Sequence, residues 1–129
     1  MRELFRRMVF NILIDNTDDH KKNHVLLVNA SQHYELSPAF DVLPSGQALG
    51  YQQMRVGTDE ADSTLDNAMS LCALFALGKD DAVQEVRGVC RVVAGWRRHF
   101  SGCGVGRRDL ESLAEQIDRP FLRGQRDRF

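Results

Sequence analysis

The chain has 129 residues, a length that suits one compact domain and is too short for two of ordinary size. Its 43% apolar and 27% charged residues exclude collagen-like, strongly disordered and disulfide-scaffold classes. Seventeen Lys and Arg against 18 Asp and Glu give a net charge of -1, so no overall field attracts nucleic acid or an anionic membrane. Three cysteines without a CxxC pair favour reduced thiols and a cytoplasmic location. No apolar run approaches the roughly 20 residues that a membrane-spanning helix needs.

The first two predicted elements are a helix and a polar loop. Apolar residues recur at helical spacing over residues 3–14, so we take residues 1–14 as a helical segment. Residues 15–24 contain no aliphatic side chain and nearly every type of catalytic side chain. Functional residues concentrate in loops held between rigid elements, so this loop is the first candidate site.

A β-hairpin and a second loop follow. Strands are predicted over residues 25–28 and 32–36, with a turn between them. Residues 37–46 then contain two prolines, a glycine and one acidic residue, Asp41. Residues 15–46 together form the predicted functional region.

The second half of the chain is predicted to be helical. Residues 51–56 are predicted to form one more short strand, and a bundle of three helices is predicted over residues 63–120. The core positions of the second and third of these helices are Val83, Val86, Cys90, Val93, Trp96, Leu110, Leu113, Ala114 and Ile117. Residues 121–129 are predicted to fray. We therefore expect a single α+β, mostly α, domain over residues 1–129.

Polar residues and glycine define the predicted ends of these helices. Ser63 or Thr64 is expected to cap the first of them, because a hydroxyl there can accept a free backbone N–H. Gly78 is expected to end that helix. Asp80 or Asp81 is expected to cap the next one.

The two loops carry residues at the spacing of a phosphoryl-transfer site. In protein-kinase-like sites an Asp orients or deprotonates the hydroxyl, an Asn five residues later binds Mg²⁺, and an Asp beyond a hairpin holds the metal that bridges the phosphates. Here Asp18 and Asn23 are five residues apart, and Asp41 follows the hairpin. Amide and carboxylate oxygens suit Mg²⁺. We predict that Asn23 and Asp41 converge on one cation with Asp18 nearby, and Asp19, at a spacing of four, is the less favoured base.

At this point the residues resemble a known family, the HipA-like serine/threonine kinases that are the toxins of bacterial toxin–antitoxin systems. Residues 16–23 read N-T-D-D-H-K-K-N and resemble the motif N-x-D-x-H-x-K-N. Residues 36–41 read L-S-P-A-F-D and resemble L-[SA]-P-x-[YF]-D. The resemblance extends to residues 10–11, residues 65–68 and Trp96, so it covers most of the chain.

The resemblance implies the C-terminal lobe of a protein-kinase-like fold, with ATP and Mg²⁺ as cofactors and a Ser or Thr hydroxyl of a protein as acceptor. By position it makes Asp18 the catalytic base and makes Asn23 and Asp41 the Mg²⁺ ligands. It also implies a protein substrate linked to translation and a HipB-like DNA-binding antitoxin as partners. The near-zero net charge and the lack of a long apolar run separately predict no direct contact with nucleic acid or a membrane.

Three further residues receive roles from the same resemblance. His20 and Lys22 are expected to orient the first loop or to neutralise the transferring phosphate. Asn16 is expected to hydrogen-bond the loop backbone and to belong to the cofactor-binding set.

The chain departs from such kinases at its start. No Gly-rich phosphate loop and no lysine-bearing strand precede the first loop, although kinases place both in an N-terminal lobe. We therefore expect the ATP-binding lobe to be missing or to come from a companion chain, and the fragment alone to be inactive. Apolar surface around residues 1–14 and 38–46 predicts a homo-oligomer or a companion chain there.

Other interpretations stay open from the residues alone. Residues 18–22 also fit a solvated charged turn. His20 and His24 have zinc-ligand spacing if they lie on a helix. Asp15, Asp18 and Asp41 fit a two-metal phosphodiesterase. A non-catalytic interaction domain derived from such a kinase would also retain both motifs.

Overall fold

The structure is a computed structural model that describes residues Met1–Phe129. It is mostly helical with one small antiparallel sheet, in agreement with the predicted α+β, mostly α, class. The helices are α1 (Arg2–Ile14), α2 (Leu65–Ser70), α3 (Lys79–Ala94), α4 (Trp96–Gly102), α5 (Arg107–Ile117) and α6 (Pro120–Asp127). The strands are β1 (Leu26–Val28) and β2 (Tyr34–Leu36), and short 3-10 helices lie at Lys21–Asn23 and Cys72–Phe75. None of the helices has both the length and the apolar character needed to cross a bilayer.

Helix α1 lies at the centre of the core. Phe5, Val9, Ile12 and Leu13 are fully buried because they recur every three or four residues and so share one face of the helix. That face contacts α2, α3, α5 and α6. The helix ends at Asp15, whose backbone is left-handed. The apolar surface expected around residues 1–14 is thus largely buried in the core, and the first polar loop starts from this central helix.

The β-hairpin forms as predicted, with strands shorter by one residue in β1 and two in β2. β1 and β2 pair antiparallel, with Leu26 opposite Leu36 and Val28 opposite Tyr34. The side-chain oxygen of Asn29 accepts backbone hydrogen bonds inside the turn. The hairpin places its apolar residues in solvent, since Leu26, Val28 and Tyr34 are all exposed.

The strand predicted over residues 51–56 is wrong. The segment makes only an isolated bridge, from Tyr51 to Asp62, because no neighbouring strand is available to it. The chain instead lies against α2, where a Cβ on Gly57 would come within 1.9 Å of the backbone oxygen of Asn67. The Asn67 amide also donates a hydrogen bond to the carbonyl of Asp62 at 2.9 Å. Helix α2 thus holds residues 57–62, and the backbone N–H groups of Gln52 and Val56 donate to Ala61 and Glu60 of that stretch.

The first helix of the predicted bundle is interrupted. Thr64 caps it, because its hydroxyl accepts the backbone N–H of Asn67 at 3.2 Å. The chain then leaves α2 and continues as a 3-10 helix that brings both Cys72 and Leu77 into the core. A continuous α-helix would place these two residues on different faces. Gly78 consequently begins α3 instead of ending the preceding helix.

The beginning of α3 and the position of Trp96 also differ from the sequence prediction. Asp80 and Asp81 lie in the first turn of α3 and make no side-chain cap, although their charge favours the helix N-terminus. Gly95 separates α3 from α4, so Trp96 begins α4. Its side chain is still buried, as the prediction of a core position requires.

The last residues are helical rather than frayed. Leu122 and Gln125 of α6 are buried, and α6 packs on α1 and α3. The side-chain oxygen of Gln125 accepts the backbone N–H of Leu65 at 2.7 Å. Arg126 donates to the carbonyl of Ile117 at 2.7 Å. These buried polar contacts order a segment whose sequence carries few apolar residues.

Two ionisable side chains in the helical half have shifted pKa values. Burial alone would raise the pKa of the Asp118 carboxyl. Hydrogen bonds from Trp96 and Arg97, together with the charge of Arg126, outweigh burial and lower that pKa. Burial raises the pKa of the Cys90 thiol, which therefore stays protonated.

Candidate functional site

The first loop is fixed to the end of α1 by buried polar contacts. The backbone N–H of Asn16 donates to the carbonyl of Asn11 at 2.9 Å, and its side-chain amide donates to the side-chain oxygen of Asn11 at 3.2 Å. The Asp15 carboxylate turns inward and pairs with Arg119 at 2.7 Å. Asp15 is therefore committed to the fold, which argues against its role in a two-metal site.

Two neighbouring acids of the first loop have opposite environments. Asp18 is exposed, whereas Asp19 is buried. The Nε2–H of His24 donates to both carboxylate oxygens of Asp19, at 3.0 and 3.1 Å. Asn23 is buried at the end of the intervening 3-10 helix. Asp18 is thus left free to face a substrate, while Asp19 is occupied within the protein.

The second loop is held at both ends. The Arg7 guanidinium donates to the carbonyl of Ser37 at 2.6 Å. At the other end, the Thr17 hydroxyl donates to the Ser45 hydroxyl at 2.8 Å, and the backbone N–H of Ser45 donates to a carbonyl of the first loop. Asp41 lies between these two anchors with a left-handed backbone, φ 56°. Non-glycine residues rarely adopt this region outside tight turns and functional sites.

The two loops bring Asp18 and Asp41 to one cavity of about 460 Å³. Asn16 also lines this cavity, and residues 43–49 form much of the remaining wall. No Lys or Arg is among its lining residues. Two carboxylates and an amide oxygen are the donor types that hard divalent cations prefer. By donor type these residues suit Mg²⁺, with Asp41 as a ligand and water or phosphate oxygens completing the shell.

Asn23 lies at a different cavity. It lines a neighbouring space of about 570 Å³ together with Asp19, His24 and Phe40. Its Nδ2 is buried and has no hydrogen-bond partner. Because Phe40 lines this cavity and Asp41 lines the other, the second loop forms part of the wall between them. The two residues expected to bind the same cation therefore sit on two adjoining cavities.

His20 and Lys22, two further predicted site residues, do not line the cavity of Asp18. Lys22 is exposed, and His20 is half-buried with an unpartnered Nδ1. The side chain of Asn16 donates to the side chain of Asn11. The prediction that Asn16 hydrogen-bonds the loop backbone is therefore wrong. His20 and His24 do not share a helix, and no group of three or more His, Cys, Asp or Glu side chains has a geometry suited to a metal ion.

The chain matches a family model described as the HipA-like C-terminal domain over residues 1–96. The chain belongs to the HipA-like C-terminal domain family. Both loops of the candidate site lie inside the matched range, so the resemblance that their motifs predict is confirmed. No curated protein and no solved structure matched the chain.

In this HipA-like domain the segment beyond the match also supports the site. Arg119, in residues 97–129, supplies the partner of Asp15 at the root of the first loop. The sequence could not reveal this pair, since the two residues lie far apart in the chain and belong to no common motif. The same holds for the anchor from Arg7 to Ser37.

Proposed function

We propose that this HipA-like domain is the catalytic portion of a serine/threonine protein kinase that transfers the γ-phosphoryl group of Mg-ATP. The observation that supports it most is the shared cavity of Asp18 and Asp41, which come from two separate motif loops. Both loops are anchored by hydrogen bonds to α1 or to each other. Phosphoryl transfer depends mainly on such positioning and on charge stabilisation.

In this proposal Asp18 acts as the base and Asp41 as a cation ligand. The exposed carboxylate of Asp18 accepts the proton of the acceptor hydroxyl, or orients that hydroxyl toward the phosphorus. Asp41 would hold the cation, and Asn23, the second ligand that family membership suggests, would have to reach the cation from the adjoining cavity. Bound Mg-ATP would supply the phosphoryl group, and its Mg²⁺ would supply positive charge beside the two carboxylates of a cavity lined by no Lys or Arg.

The proposal includes a partner that grips the nucleotide. The glycine-rich segment 102–106 follows α4 rather than a strand, and neither strand carries a lysine. We therefore propose that an N-terminal lobe or companion chain supplies the phosphate loop and the lysine. Exposed apolar side chains on the hairpin and second loop, including Leu26, Tyr34 and Phe40, support a covering partner on this side. A cytoplasmic location, a protein substrate of the translation machinery and a HipB-like antitoxin belong to the same proposal.

A second candidate function is a non-catalytic interaction module. The same exposed apolar surface favours it, because a binding surface needs no intact catalytic centre. The two candidates differ at Asp18: a kinase requires its carboxylate, whereas an interaction module does not.

The test is phosphoryl transfer from γ-labelled ATP to protein, measured on the natural gene product with any companion chain that co-purifies. Asp18→Asn and Asp41→Asn should each lower the rate by at least about 100-fold. Glu115→Gln, an exposed carboxylate on α5 outside both loops, is the matched control and should leave the rate unchanged. Transfer that survives Asp18→Asn at the wild-type rate contradicts the proposed base.

A further inference from the structure

We infer that the buried, hydrogen-bonded pair of Asp19 and His24, here called the Asp19–His24 clamp, positions the first loop for cation binding. The inference rests on the proposed function, because it names residues that set the geometry of the proposed base and cation ligand. The clamp residues are positioning residues, since each acts through its neighbour in the chain.

The clamp interleaves with the proposed catalytic residues. Asp18 and Asn23 are five residues apart, and the next residues along the chain, Asp19 and His24, are also five apart. Joining Asp19 to His24 therefore closes the loop directly beside the proposed base and beside the proposed ligand. Both oxygens of the Asp19 carboxylate accept from His24, at 3.0 and 3.1 Å, so the contact fixes direction as well as distance.

The clamp is the main side-chain restraint on this half of the loop. Residues 15–24 contain no aliphatic side chain that could anchor them in the apolar core. Among the side chains of residues 18–24, the described hydrogen bonds are those between Asp19 and His24. The two side chains are only 9% and 13% exposed, so water competes weakly for the contact. Removing either partner leaves a buried polar group unpaired, which is costly.

The clamp lies between the cavity of Asn23 and a third cavity. Asp19 and His24 line the cavity of Asn23, and they also line a third cavity of about 250 Å³ on the side of Met8 and Val56. The clamp is thus part of the wall between these two cavities. Its loss would let the segment that carries Asn23 shift. We expect the cation site to weaken as a result, although neither clamp residue lines the cavity of Asp18 and Asp41.

The experiment compares His24→Gln with His24→Asn in the 129-residue chain. A Gln side chain can place an amide N–H close to the position of His Nε2, whereas Asn is too short to reach Asp19. The probe is Mn²⁺, followed through the line broadening of backbone amides in residues 16–18 and 41–45. We expect His24→Gln to keep the wild-type affinity and His24→Asn to lose about tenfold, as partners behind metal ligands commonly do. His33→Asn, an exposed histidine of the hairpin turn, is the control.

Hydrogen exchange of the Asn23 amide, which donates to the carbonyl of His20 at 2.9 Å, gives a second, metal-independent readout. Exchange should accelerate in His24→Asn and stay slow in His24→Gln. If a folded His24→Asn protein keeps the wild-type Mn²⁺ affinity and the wild-type amide exchange rate, the clamp does not position the loop and the inference is wrong. If His24→Asn does not fold, Asp19→Asn, which removes the charge and keeps the shape, must accelerate exchange for the inference to stand. Absence of Mn²⁺ broadening at both loops of the wild type counts against the proposed function instead, and exchange alone then decides the clamp.

Discussion

Arg119 should stabilise the root of the candidate site from outside the matched family range. Its guanidinium lies 2.7 Å from the Asp15 carboxylate, whose side chain is 5% exposed, while that of Arg119 is 24% exposed. Breaking a buried pair by removing one partner costs about 3–5 kcal/mol. Water reaches Arg119 in part, and Ser45 and Ala48 still donate to Asp15, at 3.5 and 3.3 Å. We therefore expect Arg119→Met to lower the free energy of unfolding by about 2–3 kcal/mol.

Urea unfolding followed by circular dichroism measures this effect. Arg107→Met is the matched control, because Arg107 also pairs with a carboxylate, at 2.9 Å, but its side chain is 92% exposed. The control should change the unfolding free energy by at most about 0.5 kcal/mol. The double variant Asp15→Asn/Arg119→Met should lose less than the sum of the two single variants, since the pair is removed together. An Arg119→Met protein as stable as the control would refute the reasoning.

Three further predictions concern backbone strain, thiol reactivity and acid stability. Asp41→Gly should raise the unfolding free energy by up to about 1 kcal/mol, because glycine adopts positive φ without strain, and a less stable variant in urea unfolding would contradict this. In the folded protein Cys103 should react with a thiol reagent while Cys72 and Cys90 react only on unfolding, and counting labelled thiols by mass spectrometry checks it. The lowered pKa of Asp118 stabilises the fold at neutral pH, and this contribution is lost as the pH falls below its ordinary value of about 4. The stability difference between wild type and Asp118→Asn should therefore shrink from pH 7 to pH 3, and a constant difference would show that Asp118 contributes nothing through its charge.

Local sequence patterns correctly predicted the elements whose formation depends on residues close together in the chain. The apolar stripe of α1 and the hydroxyl cap of Thr64 depend on residues close in sequence, and the structure has both. The strand over 51–56 failed because a strand needs a neighbour, and the local sequence cannot show that none is present. The prediction that residues 121–129 fray was also wrong, because contacts with distant residues order α6. One example is the hydrogen bond between Gln125 and Leu65.

The candidate site likewise has features that the sequence predicts and features that it does not. Motif spacing identified Asp18 and Asp41 as residues that should meet, and the structure brings both to one cavity. Spacing gave no indication that Asn23 lines an adjoining cavity, because that depends on how the second loop runs between the two spaces. The pair of Asp15 and Arg119 and the anchor of Ser37 on Arg7 are tertiary contacts without a sequence pattern.

Anomalous diffraction from crystals of the chain grown with Mn²⁺ tests the central claim most directly, because it locates the cation without relying on turnover. The account predicts one ion in the cavity of Asp18 and Asp41, with an Asp41 carboxylate oxygen at about 2.1–2.2 Å. The same peak should be absent from Asp41→Asn crystals. An ordered Mn²⁺ bound elsewhere, with Asp41 pointing away from the cavity and no ion there, would contradict the proposed catalytic centre.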